Sequence, residues 1–337
     1  MEKKIVAANI GMKFGMSHVE GALSYGAEIA AICDSDEENL RFAGERYSIP
    51  EEKRFTDYMD IVNNKEINVV TVAVPDQMHK KISCDLLRAG KHVLCEKPLA
   101  LTREDLEEII KTADESGCKF MVGQICRFTP SFIKAKEIVE SGTIGEIYFI
   151  ESEYAHDYMK LCDSWRADPL RHGVIGGGCH AVDLIRWLAG DPREVFAYGM
   201  HKLLPQVPYD DATIAIMKFR ENVAGKVFVS TGCKRDYTMR TCIYGTKGTL
   251  ICDNTSPAMT LFTTDSEGVV NEKPEIIEVE VNNHNAAKEF EVFADAILNA
   301  KPVLTDAREG AKTVEVCLSI VESSKTGKIV YPNYSFR

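Results

Sequence analysis

The tripeptide Glu96-Lys97-Pro98 sets an ammonium group between a carboxylate and a rigid proline at the end of an apolar segment. His92–Cys95 has the composition of a buried parallel strand, so Lys97 is predicted to lie at the carboxyl edge of a sheet. In open α/β sheets, ligands bind at this edge, and the proline restricts the backbone that presents the lysine. Lys97 is therefore a candidate functional residue and not a solvated surface group.

A second candidate is His180, which follows three consecutive glycines, residues 176–178, in the first turn of a predicted helix. Glycines at a helix entrance allow another group to approach the backbone closely. The amino end of a helix disfavours the imidazolium form, so His180 is suited to act as a general base near neutral pH. The alternative is a buried structural histidine held by Asp183, which lies on the same helix face.

The turn after the first predicted strand is a degenerate form of a dinucleotide-binding turn. The full fingerprint G-x-G-x-x-G cradles a pyrophosphate at the amino end of a helix. Here Gly11 and Gly15 are present, and Met12 occupies the place of the second glycine. We predict that Gly11, Met12, Phe14 and Gly15 contact a cofactor; the alternative is a purely structural strand-to-helix turn.

Asp34 ends the second predicted strand, close to the spacing of about 20 residues after Gly11 at which an acid binds the adenosine ribose. A carboxylate repels the 2′-phosphate of NADP, so the sequence favours NAD; Asp34 is also a candidate helix cap. Val74, Pro75 and His79 follow a later strand and are further candidate cofactor contacts. His79 is equally suited to packing or capping.

These residues need a parallel sheet to position them, and the first 120 or so residues alternate apolar strands with amphipathic helices, as in βαβ units. From about residue 125, alternating strands separated by short turns favour an antiparallel sheet. We therefore predict an α/β fold with a doubly wound parallel sheet in residues 1–123. Residues 124–337 are predicted to form an α+β domain with a large open, mostly antiparallel sheet.

The composition excludes several classes of protein. The 337-residue chain has a net charge of −11, which argues against a nucleic-acid surface. It has no apolar run of the ~18–20 residues that span a bilayer, and its amino end does not resemble a signal peptide. The 11 cysteines include no C-x-x-C pair, which favours a reducing compartment. We predict a cytoplasmic protein with no bound metal.

Taken together, the motifs resemble the Gfo/Idh/MocA family of NAD(P)-dependent oxidoreductases, which includes inositol and sugar dehydrogenases. The resemblance covers essentially the whole chain. It rests on Gly15-x-x-His18, Asp34, Pro75 with His79, residues 89–98, Arg127-Phe128 with Pro130, residues 176–183, residues 245–249 and residues 322–328.

The resemblance implies a Rossmann domain that binds NAD, with Glu96 and Lys97 near the cofactor, followed by a substrate domain. It implies that His180 removes the hydroxyl proton as hydride leaves the same carbon. Lys97 would then hydrogen-bond the substrate oxygen and stabilise its developing charge. The two residues could exchange these roles.

One departure concerns the substrate. Many family members carry an aspartate four residues before the histidine, where this chain has Gly176. Asp157 or Asp168 would have to supply the missing contact to a sugar hydroxyl. The predicted substrate contacts, in addition to Lys97 and His180, are Arg127, Tyr154, His156, Trp165 and Arg166. Arg127 or Arg166 would alternatively bind an acidic group.

The leading prediction is an NAD-dependent dehydrogenase acting on a sugar, a polyol or a derivative. One alternative is a glycoside hydrolase or lyase that retains NAD and oxidises its substrate transiently. Another is a non-catalytic sensor or regulatory protein that keeps the cofactor fold; the degenerate turn favours it, whereas the presence of Lys97 and His180 argues against it. We expect a small-molecule substrate, no nucleic-acid or membrane partner, and a homodimer or homotetramer formed through the open sheet.

Overall fold

The computed structural model describes residues 4–162 and 164–336. By its internal contacts the chain divides into two units, the first ending at Ile125 and the second beginning at Cys126. Asn285–Ala311 belong to the first unit and Lys312–Tyr334 to the second. The predicted domain boundary after residue 123 stays a prediction. A single boundary does not describe this chain fully, because Asn285–Ala311 return to the first unit.

The first unit contains a six-stranded sheet of parallel strands in the order β3-β2-β1-β4-β5-β6, which is the doubly wound order of dinucleotide-binding folds. The strands of one half of the sheet, from β4 to the edge strand β6, are almost entirely buried, as expected for strands covered on both faces. The strands are β1 Val6–Ile10, β2 Glu28–Cys33, β3 Arg54–Phe55, β4 Val69–Val72, β5 His92–Glu96 and β6 Phe120–Gly123.

Helices connect these strands, and their ends have the signals that the sequence predicts. Thr102 caps the fifth helix by accepting a hydrogen bond from the Asp105 N–H (3.2 Å), an arrangement that the Thr-x-x-Asp spacing favours. Gly26 ends the first helix in the left-handed conformation, φ 85°. The helices are α1 Met16–Tyr25, α2 Glu37–Arg46, α3 Tyr58–Asn63, α4 His79–Arg88 and α5 Arg103–Ser116.

The second unit contains an eight-stranded sheet in the order β14-β13-β12-β11-β7-β10-β9-β8. Its pairings are antiparallel except at the centre, where β7 and β10 run parallel, with Ile150 opposite Gly225. The strands are β7 Ile147–Ala155, β8 Glu194–Met200, β9 Ala212–Arg220, β10 Val223–Ser230, β11 Thr238–Gly245, β12 Gly248–Asp253, β13 Ala258–Thr263 and β14 Glu275–Glu278.

One face of this sheet is covered and the other is open. In β9, Ala215, Met217 and Phe219 are buried, whereas Ile216 between them is exposed. Helices pack on the buried face, and none of the described helices is long and apolar enough to cross a membrane. The remaining helices of the chain are α6 Pro130–Glu140, α7 Gly173–Gly176, α8 Cys179–Ala189, α9 Ala286–Leu298 and α10 Ala307–Thr326.

Candidate active site

The turn between β1 and α1 requires both of its glycines. Gly11 has φ +90°, and a Cβ atom there would lie 2.3 Å from the Ala73 carbonyl oxygen. A Cβ atom on Gly15, the residue before α1, would lie 1.9 Å from the Gly11 carbonyl oxygen. Neither position can carry a side chain without moving the main chain, so the two glycines set the tight connection from strand to helix.

The amino end of α1 fits a dinucleotide phosphate. Among the described residues no side chain caps this helix, and its first turn contains no acid. Main-chain N–H groups at a helix amino end favour an anion. The Met12 side chain is buried, whereas Lys13 and Phe14 are exposed, Phe14 to 48%.

Asp34 supports the same turn from the end of β2. Its Oδ2 accepts a hydrogen bond from the Met12 N–H (2.6 Å) and its Oδ1 accepts one from the Asp36 N–H (2.9 Å). The cap of α2 is Asp36, whose side chain accepts hydrogen bonds from the N–H groups of Glu38 and Asn39. A carboxylate has about four acceptor sites, so Asp34 keeps capacity for a ribose hydroxyl.

His79 fixes the backbone at the ends of β4 and β5. It is fully buried, and its Nδ1 and Nε2 atoms lie 2.7 and 3.0 Å from the carbonyl oxygens of Pro98 and Val74. Burial alone would lower the pKa of His79, but Cys95, Asp76 and the Pro98 carbonyl raise it to about 10. The His79 ring therefore holds two backbone segments, one at Val74 and Pro75 and the other at Pro98.

A buried acid–imidazole cluster underlies Lys97. His18 Nε2 lies 2.7 Å from Glu96 Oε1, and His18 Nδ1 lies 3.8 Å from Glu289 Oε2. Glu96 Oε2 accepts a hydrogen bond from the Lys97 N–H (3.1 Å). Glu289 is 0% exposed and, among the described residues, neither of its carboxyl oxygens has a hydrogen-bond partner. The cluster thus orders the backbone from which the half-buried Lys97 side chain extends.

The pKa values in this cluster follow from burial and from the neighbouring charges. Burial alone would lower the pKa of His18, but the hydrogen bond and charge of Glu96, with the charge of Glu289, raise it. Burial would raise the pKa of Glu96, but His18, Lys97 and His79 lower it. Burial raises the pKa of Glu289 to about 8; His18 opposes this shift and Glu96 adds to it. Near neutral pH, Glu96 is the charged partner of His18 and Glu289 is largely protonated.

In the second unit, three glycines bring side chains close to the start of α8. A Cβ atom on Gly176 would lie 2.2 Å from the guanidinium group of Arg171. One on Gly177 would lie 2.6 Å from the Tyr158 hydroxyl oxygen, and one on Gly178 would lie 2.5 Å from the Val229 side chain. The predicted close approach at these glycines is thus made by side chains of the same unit.

His180 lies in the first turn of α8, where a thiol and an aromatic ring hold its imidazole. Cys126 Sγ lies 3.3 Å from His180 Nδ1, and the Tyr154 ring stacks on the imidazole with centroids 6.0 Å apart at 24°. The Asp183 carboxylate on the same helix accepts hydrogen bonds from Arg127 and Thr313. A general base and a buried structural histidine both stay predictions for His180.

Tyrosine hydroxyls and a second histidine adjoin this pair. The Tyr154 hydroxyl lies 2.7 Å from the Tyr158 hydroxyl and 3.2 Å from His156 Nδ1. Tyr237 packs against both Tyr154 and His156, with ring centroids 5.6 and 4.7 Å apart. Burial, with the nearby phenols, raises the pKa of Tyr154 well above its usual value, so its hydroxyl stays protonated. The predicted residues Tyr154, His156 and His180 are thus brought together.

Arg127 is engaged inside the second unit. Its Nε and Nη2 atoms donate to the two carboxylate oxygens of Asp183 at 2.8 and 2.7 Å, and both side chains are at most 3% exposed. The Thr313 hydroxyl donates to the same carboxylate (2.9 Å). The Arg127 guanidinium thus holds α8 in place through Asp183. A substrate contact for Arg127 stays a prediction.

Trp165 and Arg166 lie in the loop before the glycines. The Arg166 guanidinium lies 4.1 Å from the centroid of the Trp165 ring, and the Arg171 guanidinium lies 4.9 Å from it. Tyr209 donates from its hydroxyl to the Arg166 carbonyl oxygen (2.7 Å). Sequence reasoning missed Arg171, Tyr158, Tyr237 and Cys126. Of these, only Cys126 had a sequence signal, because it follows β6 at the ligand-binding edge.

Comparisons with known proteins identify the family. Residues 6–124 match the model of an oxidoreductase family with an NAD-binding Rossmann fold, and residues 132–251 match the GFO/IDH/MocA C-terminal domain. The two matches together span well over half of the chain. The chain belongs to the GFO/IDH/MocA family. It is accordingly an NAD(P)-dependent oxidoreductase, and the resemblance found in its sequence is confirmed.

Relatives in this family are distant in sequence. An inositol 2-dehydrogenase of Salmonella typhimurium is 25% identical over 252 residues, which cover 74% of this chain and 73% of the relative. A myo-inositol 2-dehydrogenase of Thermotoga maritima is 25% identical over 294 residues, covering 84% and 85%. The solved structure of a levoglucosan dehydrogenase in complex with NADH superposes with a TM-score of 0.89 at 21% identity, covering 98% of this chain and all of that one. That structure supports the fold.

Proposed function

We propose that this GFO/IDH/MocA protein oxidises a secondary alcohol of a sugar, a polyol or a derivative. The observation that carries the proposal is the setting of His180, a buried imidazole stacked on Tyr154 within a group of tyrosine hydroxyls. Aromatic faces and hydroxyls suit a polyhydroxylated ring. The names of the relatives, inositol and levoglucosan dehydrogenases, support the same substrate class.

The proposed cofactor is NAD and not NADP. Asp34 would accept hydrogen bonds from a ribose hydroxyl, and the acidic residues Asp36, Glu37 and Glu38 that follow it would repel a 2′-phosphate. NAD, when bound, supplies the acceptor for the hydride. The residues proposed to hold it are Gly11, Met12, Phe14, Gly15, Asp34, Val74, Pro75, His79, Glu96 and Lys97.

Lys97 and His180 are proposed as the acid/base pair for the substrate hydroxyl. His180 would take the hydroxyl proton on its imidazole, and the Lys97 ammonium would donate a hydrogen bond to the same oxygen, stabilising the charge that develops there. The roles of the two residues can be reversed. Tyr154, His156, Trp165 and Arg166 are the further residues proposed to contact the substrate.

The experiment that tests this function measures NAD and NADP binding by calorimetry, and then absorbance of reduced nicotinamide with a panel of sugars and polyols. The dehydrogenase proposal expects NAD binding and steady accumulation of NADH with at least one substrate. NAD held without release of NADH, together with cleavage of a glycoside, would favour the hydrolase or lyase. Binding of neither cofactor would contradict the proposal and favour a sensor.

We also propose that the open face of the eight-stranded sheet joins copies of the chain into a homodimer or homotetramer. Tyr198 and Ile216 on this face are 63% and 57% exposed, and extended exposed apolar surfaces mark association sites. A single cross-strand row runs over all eight strands: Ile276, Thr260, Ile251, Cys242, Glu151, Lys226, Ile216 and Phe196.

Sedimentation velocity tests this assembly. We expect a dimer or larger species at micromolar protein, and dissociation to monomer in Ile216→Asp, because an unpaired carboxylate would be buried at the contact. Val270→Asp is the control, an exposed valine outside the row. A wild-type protein that sediments as a monomer would contradict the proposal.

A cytoplasmic location is proposed as well, because none of the eleven cysteines, all within the described residues, is in a disulfide.

A further inference from the structure

The second unit has a buried arginine that packs against Gly176, the last residue of α7. A Cβ atom on Gly176 would lie 2.2 Å from both Cζ and Nη1 of Arg171. The guanidinium group therefore fills the volume in which a side chain at position 176 would begin. Arg171 is 3% exposed. The charge beside this position is thus positive.

The Arg171 guanidinium adjoins the helix face that carries His180. α7 ends at Gly176, Gly177 and Gly178 keep right-handed helical dihedral angles, and α8 begins at Cys179. Positions 176 and 180 are therefore about one helical turn apart. Side chains at this spacing have Cβ atoms roughly 5–6 Å apart. A group bound by Arg171 would lie next to the atoms that His180 contacts.

The surroundings hold Arg171 in a fixed orientation. Trp165 lies under its guanidinium, with Arg166 on the same indole ring, and Tyr209 shares a hydrogen bond with Arg171. The next residue, His172, has φ +37°, a conformation that is uncommon for residues other than glycine. Such strained positions cluster at functional sites. Two guanidinium groups are thereby concentrated on one aromatic ring close to position 176.

Resting on the proposed dehydrogenase function, we propose that Arg171 binds a carboxylate of the substrate, so that the enzyme acts on a sugar acid and not on a neutral polyol. The planar guanidinium matches a carboxylate with two parallel hydrogen bonds. Gly176 is the specificity-determining partner, because its missing side chain makes room for the guanidinium. The oxidised carbon would then lie near the acid group, with its hydroxyl at His180.

The first experiment compares kcat/KM for matched substrates: uronic acids against their parent aldoses, aldonic acids against alditols, and sugar phosphates. We expect the wild type to prefer the carboxylates. Arg171→Gln should lower kcat/KM for the acids on the order of 10²-fold and change it for neutral sugars only a few-fold. Arg193→Gln, an exposed arginine of the same unit, is the control and should change neither. A preference for sugar phosphates over the carboxylates would overturn the assignment of a carboxylate site.

A second variant and a binding measurement test the inference independently, in case Arg171→Gln does not fold. Arg171→Lys keeps the positive charge but not the planar pair of donors, and we expect it to lower kcat/KM for the acids less than Arg171→Gln does while the circular dichroism spectrum is unchanged. Calorimetric titration of a uronate into the NADH-loaded enzyme should show binding that Arg171→Gln weakens.

The outcomes separate this inference from the proposed function. Oxidation of neutral sugars alone, or an unchanged acid-to-neutral ratio in Arg171→Gln, would overturn the carboxylate site and leave the dehydrogenase intact. Arg171-dependent binding of acids without any NADH formation would support the carboxylate site and contradict the dehydrogenase. Absence of both binding and NADH formation would overturn both.

Discussion

Two histidines follow a glycine turn at the start of a helix, and they have different chemical settings. His18 in α1 lies 2.7 Å from one carboxylate oxygen, of Glu96, and 3.8 Å from another, of Glu289. His180 in α8 lies 3.3 Å from the Cys126 thiol and stacks on Tyr154. Both are buried, at 2% and 3% exposure. The local sequence signal is alike, and the tertiary partners separate the two roles.

The partners decide whether each imidazole can exchange a proton. Because Glu96 and Glu289 raise the pKa of His18, this ring keeps its proton. It forms a buried ion pair with Glu96 and lies beside the protonated Glu289. Within its own unit His180 lies beside the Cys126 thiol and the Tyr154 ring. The comparison predicts that loss of His180 affects turnover, whereas loss of His18 affects stability.

The largest expected effect is on turnover. His180→Ala and Lys97→Ala should each lower kcat by about 10²–10⁴-fold, because a positioned acid or base contributes this much to proton transfer. Steady-state NADH formation measures the loss, and NAD binding should persist in His180→Ala. His201→Gln, an exposed histidine of the second unit, is the control. Full turnover in either alanine variant would remove that residue from the mechanism.

The next effect concerns stability. His18→Leu leaves the ionised Glu96 carboxylate buried without its cation, and breaking a buried pair costs about 3–5 kcal/mol. Urea unfolding should report this loss. A His18→Leu/Glu96→Leu double variant should recover part of it, because the unpaired carboxylate is replaced by an apolar group. A loss below about 1 kcal/mol in the single variant would contradict a buried ion pair between His18 and Glu96.

Most of the fold could be predicted because local patterns determine it. The strand at residues 69–72 is a continuous β-branched run, and the cap at Thr102 is visible in the sequence. The parallel pairing of β7 with β10 could not be predicted from pattern alone. Strand direction depends on the path of the intervening chain, which here includes α7, α8 and two further strands before β10 begins.

The candidate site was predictable where a motif is contiguous and not where it depends on packing. Glu96 and Lys97 are adjacent in the sequence, so their place at the sheet edge follows from one strand. Glu289 reaches His18 only because α9 packs on α1, and no local signal marks that contact. Arg127 suggested a substrate contact by its position, but its carboxylate partner, Asp183, belongs to a distant helix.

A smaller effect is a pH dependence of stability that comes from Glu289. Its pKa in the folded chain is about 8, above the ordinary value of about 4.3, so the folded state binds the proton more tightly than the unfolded state. Stability therefore falls as pH rises between these values, by up to about 1.4 kcal/mol per pH unit.

Glu289→Gln, which resembles the protonated acid, should remove this dependence. We expect the free energies of unfolding of variant and wild type to agree near pH 4, and the variant to be the more stable by roughly 4–5 kcal/mol at pH 8. Urea titrations at both pH values measure the difference. Parallel curves for the two proteins would mean that Glu289 is ionised in the folded state.

The smallest effect tests what holds the second histidine. Cys126→Ala removes the thiol beside His180 Nδ1, and a single hydrogen bond of about 0.5–1.5 kcal/mol corresponds to a roughly 2–10-fold loss in kcat. Cys126→Ser keeps a donor and should retain most of the activity. Because KM reports substrate contacts and kcat reports the base, we expect KM to stay constant in both variants. Equal kcat in Cys126→Ala and wild type would mean that stacking on Tyr154 alone orients the imidazole. In that case the two histidines would differ still more, since His18 depends on hydrogen-bonded charge and His180 on an aromatic face.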